Sequence, residues 1–207
     1  MPIEREVKLA VADDFVLPDL GAVQGVRVED RGAHLLEATY WDTDSLALFN
    51  SDHGLRHRTR DGGSGTWTLK GPSTRAGAAV EREELEVEGN PEFVPGSLLQ
   101  RIAGVAHGEP VHPVAVVKTV RHVFDLFSAD SRLAELVDDR VTVLDQHGSE
   151  AARFREVEVE FAGEAADVAL RPVLERLEAA GAVVDTTAKY ARALLALGRV
   201  APSQLIR

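Results

Sequence analysis

Apolar and charged residues alternate along most of this chain, and this alternation limits the folds that the chain can adopt. Successive side chains of a β-strand point to opposite faces, so a period of two predicts strands that each bury one face. In residues 3–12, Val7 and Leu9 fall on one face, and Glu6 and Lys8 fall on the other. Several of these second faces hold only carboxylates or only cations, where a half-exposed sheet would hold mixed polar residues. The pattern therefore predicts an antiparallel sheet that curls or closes.

The predicted strands and helices follow one another without a linker of the kind that separates domains. Turn residues at 61–65 and 146–148 predict hairpin loops. We interpret residues 1–200 as one α+β domain and residues 201–207 as a C-terminal tail. The predicted strands cover residues 3–12, 26–30, 34–42, 55–60, 66–70, 80–87, 114–127, 132–144 and 153–161. The predicted helices cover residues 96–103, 168–180 and 188–197.

The composition argues against several classes of function. The chain of 207 residues has a formal net charge of −11, which argues against a nucleic acid or an anionic membrane as its partner. It contains no cysteine, so disulfides and thiolate chemistry are ruled out. Its apolar runs are far shorter than the ~20 residues that cross a bilayer, and its first residues lack the features of a signal peptide. We therefore expect a cytoplasmic protein.

Two strands, near the two ends of the predicted sheet, carry acidic faces. Glu4, Glu6 and Lys8 lie on one side of the first strand at steps of roughly 6.6 Å, so the carboxylates can share a divalent metal while the ammonium faces an anion. Glu158 and Glu160 share a face of the last strand with Glu156. Such carboxylates repel one another unless water or a cation intervenes. A solvated strand face explains either strand alone, whereas the pair of strands favours a metal site.

Basic residues also recur at alternate positions. Arg56 and Arg58 project together from one strand, and Lys70 and Arg121 belong to further basic strands. Guanidinium groups suit phosphate oxygens because they bind them in a planar, bidentate way. The alternative is a surface ion-pair ladder with the acidic residues at 81–84. From these residues alone, an anion site and a surface ladder remain about equally supported.

Nine motifs follow one another along the chain: Glu4-x-Glu6-x-Lys8, Tyr40-Trp41-Asp42-Thr43, Leu55-Arg56-x-Arg58, Trp67-Thr68-Leu69-Lys70, Glu81-Arg82-x-Glu84, Arg121, Asp138-Asp139-Arg140-Val141, Glu158-Val159-Glu160 and Ala188-Lys189-Tyr190. This ordered set closely resembles that of the CYTH, or triphosphate tunnel metalloenzyme, superfamily over nearly the whole length. The resemblance implies a closed eight-stranded antiparallel β-barrel, a tunnel open at both ends and lined by charged side chains, with a few flanking helices.

The resemblance also implies roles for individual residues. The aspartate that precedes Arg140 and Val141, Asp139 rather than Asp138, matches the position of the family's metal ligand. Catalytic roles would fall to Glu4, Glu6, Lys8 and Lys189. The residues that would contact a triphosphate are Lys8, Arg56, Arg58, Lys70, Arg121 and Lys189. The residues that would hold Mg²⁺ or Mn²⁺ are Glu4, Glu6, Asp139, Glu158 and Glu160.

We therefore expect metal-dependent hydrolysis of a small-molecule triphosphate, with inorganic triphosphate as the first choice of substrate. Thiamine triphosphatase and class IV adenylate cyclase are the alternatives within the family. The segment after Lys8 lacks the His-Phe pair associated with those cyclases, so the sequence favours the cyclase alternative less. The non-enzymatic alternative is a module that binds polyphosphate or a nucleotide without hydrolysing it. The sequence leaves a monomer and a homodimer both open.

Overall fold

The computed structural model describes residues 3–163 and 166–205, which form nine β-strands and four α-helices. The strands are β1 (Ile3–Val11), β2 (Arg27–Asp42), β3 (Gly54–Arg60), β4 (Gly65–Ala76), β5 (Ala79–Glu88), β6 (His112–Ser128), β7 (Ser131–Leu144), β8 (Glu150–Phe161) and β9 (Val183–Val184). The helices are α1 (Ala47–Asn50), α2 (Gly96–Ala106), α3 (Ala166–Ala179) and α4 (Lys189–Ala196). No helix within the described ranges is long and apolar enough to cross a membrane.

Eight of the strands described in these ranges close into an antiparallel barrel. Neighbouring strands follow the order β5, β4, β3, β2, β6, β7, β8 and β1, and β1 also pairs with β5. The two-residue strand β9 adds to β1 outside this ring. Closure gives each barrel strand a partner on both sides over at least part of its length. The predicted fold, an α+β protein built on a closed eight-stranded barrel, is confirmed.

Most strand predictions are correct to within a few residues, with one clear error. The segments predicted separately at 26–30 and 34–42 form the single strand β2. The register of β2 against β6 shifts between Asp30 and Gly32, and Gly32 has a φ of 83°. A bulge of this kind bends a strand without ending it, although its glycine resembles a turn in the sequence. The short elements α1 and β9 were not predicted.

The apolar faces of several strands point outward from the barrel. Helix α3 lies over them, and its residues Leu170 and Leu177 pack in one buried cluster with Val7, Val157 and Val159. The opposite faces of β1 and β8, which carry the acidic residues, consequently point inward. The alternation that predicted one apolar and one charged face per strand thus separates a core beneath the helices from a charged interior.

Helix α4 enters one end of the barrel interior. Its residues Ala193 and Leu194 pack against Val141 and Val143 of β7, which share a strand face with Asp139. The interior is therefore apolar where α4 fills it and charged beyond that point. The first residue of α4, Lys189, lies where the two regions meet.

Arg155 ties the outer face of β8 to the segment that follows β1. Its side chain is 5% exposed, and its guanidinium donates to both carboxylate oxygens of Asp138 at 2.8 and 2.6 Å. It also donates to the backbone oxygens of Asp13 and Phe15 at 3.0 and 2.6 Å. A desolvated guanidinium depends on such acceptors, so this group fixes the chain after β1 to the barrel wall.

We expect Arg155→Met to lower the free energy of unfolding by roughly 3 kcal/mol, because it leaves the carboxylate of Asp138 without its cation. Arg153, two residues earlier, provides a matched control: it is 69% exposed and pairs with Glu150. Arg153→Met should change the free energy of unfolding by less than about 0.5 kcal/mol. Urea unfolding followed by tryptophan fluorescence measures both variants. Equal losses in the two would contradict the structural role of Arg155.

Candidate active site

A cavity of about 1000 Å³ occupies the charged interior of the barrel. A second cavity, of about 720 Å³, shares Arg58, Arg121, Glu86 and Glu135 with the first. Along β3, the first cavity extends from Arg58 toward Gly54 and the second toward Arg60. The predicted site residues that line the first cavity are Glu4, Glu6, Lys8, Arg56, Arg58, Lys70, Arg121, Glu158, Glu160 and Lys189.

Asp139 lies deeper, as part of a buried acidic cluster. It is fully buried, and it faces Glu156 across the β7–β8 pair. Carboxylate oxygens of Asp139, Glu156 and Glu158 all lie within 4.8 Å of one another. The neighbouring Asp138 points to the outer face, toward Arg155. Strand alternation therefore places Asp139 inside the barrel and Asp138 outside it.

Lys189 reaches all three carboxylates of this cluster. Its ammonium nitrogen lies 2.7 Å from Asp139, 2.5 Å from Glu156 and 3.0 Å from Glu158. Burial alone would lower the pKa of Lys189, but these three negative charges raise it above its ordinary value. The ammonium therefore stays protonated, and the start of α4 is fixed against β7 and β8.

Lys8 and Arg121 complete the charge balance of the cluster. The ammonium of Lys8 lies 2.8 Å from Glu158, and the guanidinium of Arg121 lies 2.6 Å from Asp139 and 3.0 Å from Glu158. Burial would raise the pKa of Glu158, but Lys189, Lys8 and Arg121 hold that pKa well below its ordinary value. Glu158 is thus a carboxylate held ionised in a desolvated place by three cations.

Glu156 is the site residue that the sequence pattern did not single out. Alternation puts it on the same strand face as Glu158 and Glu160, but the family motif assigns roles only to those two. The structure buries Glu156 fully, and its Oε2 has no hydrogen-bond partner within the described ranges. Burial raises the pKa of its carboxyl even though Lys189 and Lys8 oppose the rise. Strand alternation indicated its face, but only the packed structure shows its depth.

The remaining acidic residues of the prediction lie on the same wall but outside the close cluster. Glu4 binds Lys70, with ammonium to carboxylate distances of 2.8 and 2.6 Å. Glu6 faces Glu160 across the β1–β8 pair. Partial burial, together with Glu4, Glu135 and Glu6, raises the pKa of Glu160 to about 7. This part of the cavity therefore holds more negative charge than its own cations offset.

These carboxylates fit a divalent cation by the chemistry of their donors. Mg²⁺ and Mn²⁺ prefer oxygen ligands, and carboxylate groups crowd the wall formed by β1, β7 and β8. Burial, and after it the nearby carboxylates of Glu4 and Glu135, raise the pKa of Glu160 and so disfavour its ionised form. A bound cation would relieve that repulsion.

Positive charge is concentrated around Arg58, on the wall opposite β8. The positive charge of Arg56, then burial, then Arg121 lower the pKa of Arg58 to about 10. Arg56 lies 3.9 Å from Glu84, whereas Arg58 has no ion pair with any residue of the described ranges. Arg58 and Arg121 line both cavities, and a bound anion would stabilise Arg58.

We expect Arg58→Met to raise the free energy of unfolding by roughly 1 kcal/mol in buffer free of polyvalent anions, since it removes a desolvated like charge beside Arg56. The control is Arg60→Met at the end of the same strand, where the side chain is 61% exposed and pairs with Asp61. That change should stay within about 0.5 kcal/mol. Urea unfolding measures both. A loss of stability in Arg58→Met would show that Arg58 does not lie in a surplus of positive charge.

Fold and site together define a class of protein, a closed antiparallel β-tunnel with acidic and basic walls facing each other. The sequence profile of the CYTH domain family matches residues 2–181. The chain belongs to the CYTH family. The match ends before Lys189, so one residue of the charged cluster comes from the segment beyond the matched range.

Two curated relatives from Mycobacterium tuberculosis share this sequence pattern. They are named Uncharacterized protein Rv2226, in strain H37Rv, and Uncharacterized protein MT2285, in strain CDC 1551. Each is 34% identical over 142 residues, which is 68% of this chain and 27% of the relative. The matched region therefore spans about a quarter of the length of these relatives.

Solved structures share the fold at low sequence identity. A candidate adenylate cyclase from Bacillus halodurans superposes with a TM-score of 0.63 at 20% identity, covering 93% of this chain and 98% of that one. A Hippeastrum protein, HpAC1, described as a candidate adenylyl cyclase with a dominant triphosphatase activity, has a TM-score of 0.60 at 17% identity. That superposition covers 96% of this chain and 98% of HpAC1. At these identities the likeness shows the fold.

Proposed function

We propose that this protein hydrolyses a triphosphate with the help of a divalent metal, and that inorganic triphosphate is its substrate. The observation that carries the proposal is a single cavity lined both by guanidinium groups, such as those of Arg56 and Arg58, and by carboxylates, such as that of Glu158. A linear anion with several charges fits between the walls, because the guanidinium groups would bind its oxygens. The family and the triphosphatase activity described for HpAC1 support the same class of reaction.

The cations of both walls would hold the substrate. Arg56 and Arg58 would bind the phosphate oxygens as planar donors, and Lys70 would add its ammonium from β4. Lys8, Arg121 and Lys189 now bind Glu158. A triphosphate in the cavity would compete with that carboxylate for them. The anion would therefore enter with its charge offset by groups that are already oriented.

The acidic wall would hold the metal. Glu4, Glu6, Asp139, Glu158 and Glu160 are the ligands we propose for Mg²⁺ or Mn²⁺, since their oxygens suit these ions. When bound, such an ion would offset phosphate charge and lower the pKa of a coordinated water.

Residues of this chain would position the reacting groups. Arg58 and Arg121 lie at the junction of the two cavities, so they would fix the chain of phosphates along the tunnel. Lys189 would place a protonated ammonium beside the substrate, where it could offset charge that develops on the leaving phosphate. That ammonium is buried at the start of α4, and its burial would limit the access of competing water.

A panel of substrates separates the candidate reactions. We expect phosphate release from inorganic triphosphate with Mg²⁺ or Mn²⁺ and none in EDTA, because the metal would lower the pKa of the attacking water. Thiamine triphosphate and ATP are the other substrates tested in the same assay. Faster release from thiamine triphosphate would replace the proposed substrate, and cyclic AMP formed from ATP would favour the adenylate cyclase suggested by the cyclase names of two neighbours. Tight binding without any turnover would favour a binding module.

A matched pair on β6 tests whether the charged interior carries the activity. Arg121 points inward to Asp139, whereas Lys118 pairs with Glu37 on the other face and is 45% exposed. Arg121→Met should lower kcat/KM for inorganic triphosphate at least about 100-fold, since it removes a phosphate contact of a desolvated site. Lys118→Met should leave kcat/KM within about twofold. Similar losses in both would argue against a site inside the barrel.

A further inference from the structure

Asp42, at the end of β2, is a fully buried carboxylate outside the charged cluster. Its oxygens accept hydrogen bonds from the backbone N–H groups of Thr43, Leu48 and Phe49, at 2.7, 2.9 and 2.9 Å. They also accept the hydroxyl of Tyr190 at 2.7 Å. A buried charge is tolerated only with such partners, so Asp42 links the barrel wall, the start of α1 and the start of α4.

Tyr190 is held firmly at its end of this link. Its ring stacks on Tyr40 with centroids 4.9 Å apart and an interplanar angle of 12°. Phe49 meets the same ring edge-on at 6.1 Å. Burial, followed by the negative charge of Asp42, raises the pKa of Tyr190 far above its ordinary value. The hydroxyl therefore remains a donor to Asp42 at any pH at which the protein is studied.

The start of α4 is held by the Asp42–Tyr190 hydrogen bond and by ion pairs of Lys189 and Arg192. The residue that precedes the helix, Ala188, offers no side-chain cap, and Lys189 and Tyr190 are its first two residues. Consecutive residues of a helix are rigidly related in direction, so fixing Tyr190 also fixes the direction of Lys189. Lys189 then reaches Asp139 of β7 at 2.7 Å.

We propose that Asp42 and Tyr190 are positioning residues that aim Lys189 into the tunnel. The part of this inference that concerns turnover rests on the proposed function. The Asp42–Tyr190 hydrogen bond would keep the ammonium of Lys189 at the carboxylate cluster and within reach of a bound phosphate chain. Neither Asp42 nor Tyr190 needs to touch the substrate for this role.

Chemical labelling of lysines tests the positioning without any substrate. In the folded 207-residue chain, Lys8 and Lys189 should both resist acetylation by acetic anhydride, since both side chains are buried in ion pairs. Tyr190→Phe keeps the ring and removes only the hydroxyl. We expect Lys189 to react at least about fivefold faster in this variant, whereas Lys8 stays protected. Mass spectrometry of tryptic peptides measures both lysines in one sample.

A second measurement asks whether Tyr190 acts through Lys189. Calorimetric titration with inorganic triphosphate in EDTA should show about fivefold weaker binding for Tyr190→Phe than for the parent protein. In a Lys189→Met background, the same change should alter the dissociation constant by less than about twofold, because the group it positions is gone. Asp138→Asn, which weakens the outer ion pair with Arg155, serves as the destabilised control and should leave binding unchanged.

The outcomes separate the inference from the proposed function. Equal acetylation of Lys8 and Lys189 in Tyr190→Phe, full protection of both, or an unfolded variant would assign the hydrogen bond to the fold as a whole and overturn the inference. The inference would also be overturned if Tyr190→Phe weakened triphosphate binding by the same factor with Lys189 present and in the Lys189→Met background. If the parent protein neither binds nor hydrolyses inorganic triphosphate, the proposed function fails, while the labelling result still decides whether Tyr190 positions Lys189.

Discussion

Ion pairing in the desolvated centre of the barrel is the interaction on which the rest of this structure depends. Burying these charges would cost several kcal/mol each if they were unpaired, so they must lie close together and in balanced numbers. Each strand that contributes one is thereby held in a single register, because a shift by one residue would turn the charge outward. The groups that meet are Lys8, Arg121, Lys189, Asp139, Glu156 and Glu158.

This arrangement reverses the usual distribution of apolar and polar residues in a small barrel. The interior of a barrel of eight strands is commonly filled by side chains that pack against one another. Here the apolar faces pack beneath helices on the outside, as Val7 and Val157 do under α3. The interior thus stays free for charged groups and a cavity, and only the end that α4 enters is apolar. The stability of the fold and the space for a ligand come from different faces of the same strands.

The sequence predicted the features that local alternation determines. It predicted that Glu4, Glu6 and Lys8 share a face, and it placed the hairpins at 61–65 and 146–148. The barrel itself required the family resemblance, because alternation does not show which strands pair. The error at β2 arose because Gly32 has the same appearance in a bulge as in a turn.

Sequence patterns could not predict how deeply each residue is buried or which residues distant in sequence come into contact. Nothing in the local sequence distinguishes the fully buried Glu156 from the more accessible Glu160 on the same strand face. The contact of Asp42 with Tyr190 joins residues 148 positions apart, so only the closed barrel reveals it. The division between a wall of carboxylates and a wall of guanidinium groups likewise depends on which strands become neighbours.

The position of β1 between β5 and β8 has a consequence for synthesis of the chain. Strand β1, the first of the barrel strands to be synthesised, gains neighbours on both sides only after Glu150–Phe161 has been made. Such distant pairing is slow, and a waiting strand can associate with other chains. Charges at alternate positions make an exposed strand a poor template for such association. The alternate charges of Glu4, Glu6 and Lys8, which line the cavity of the closed barrel, would thus also disfavour association of β1 before the barrel closes.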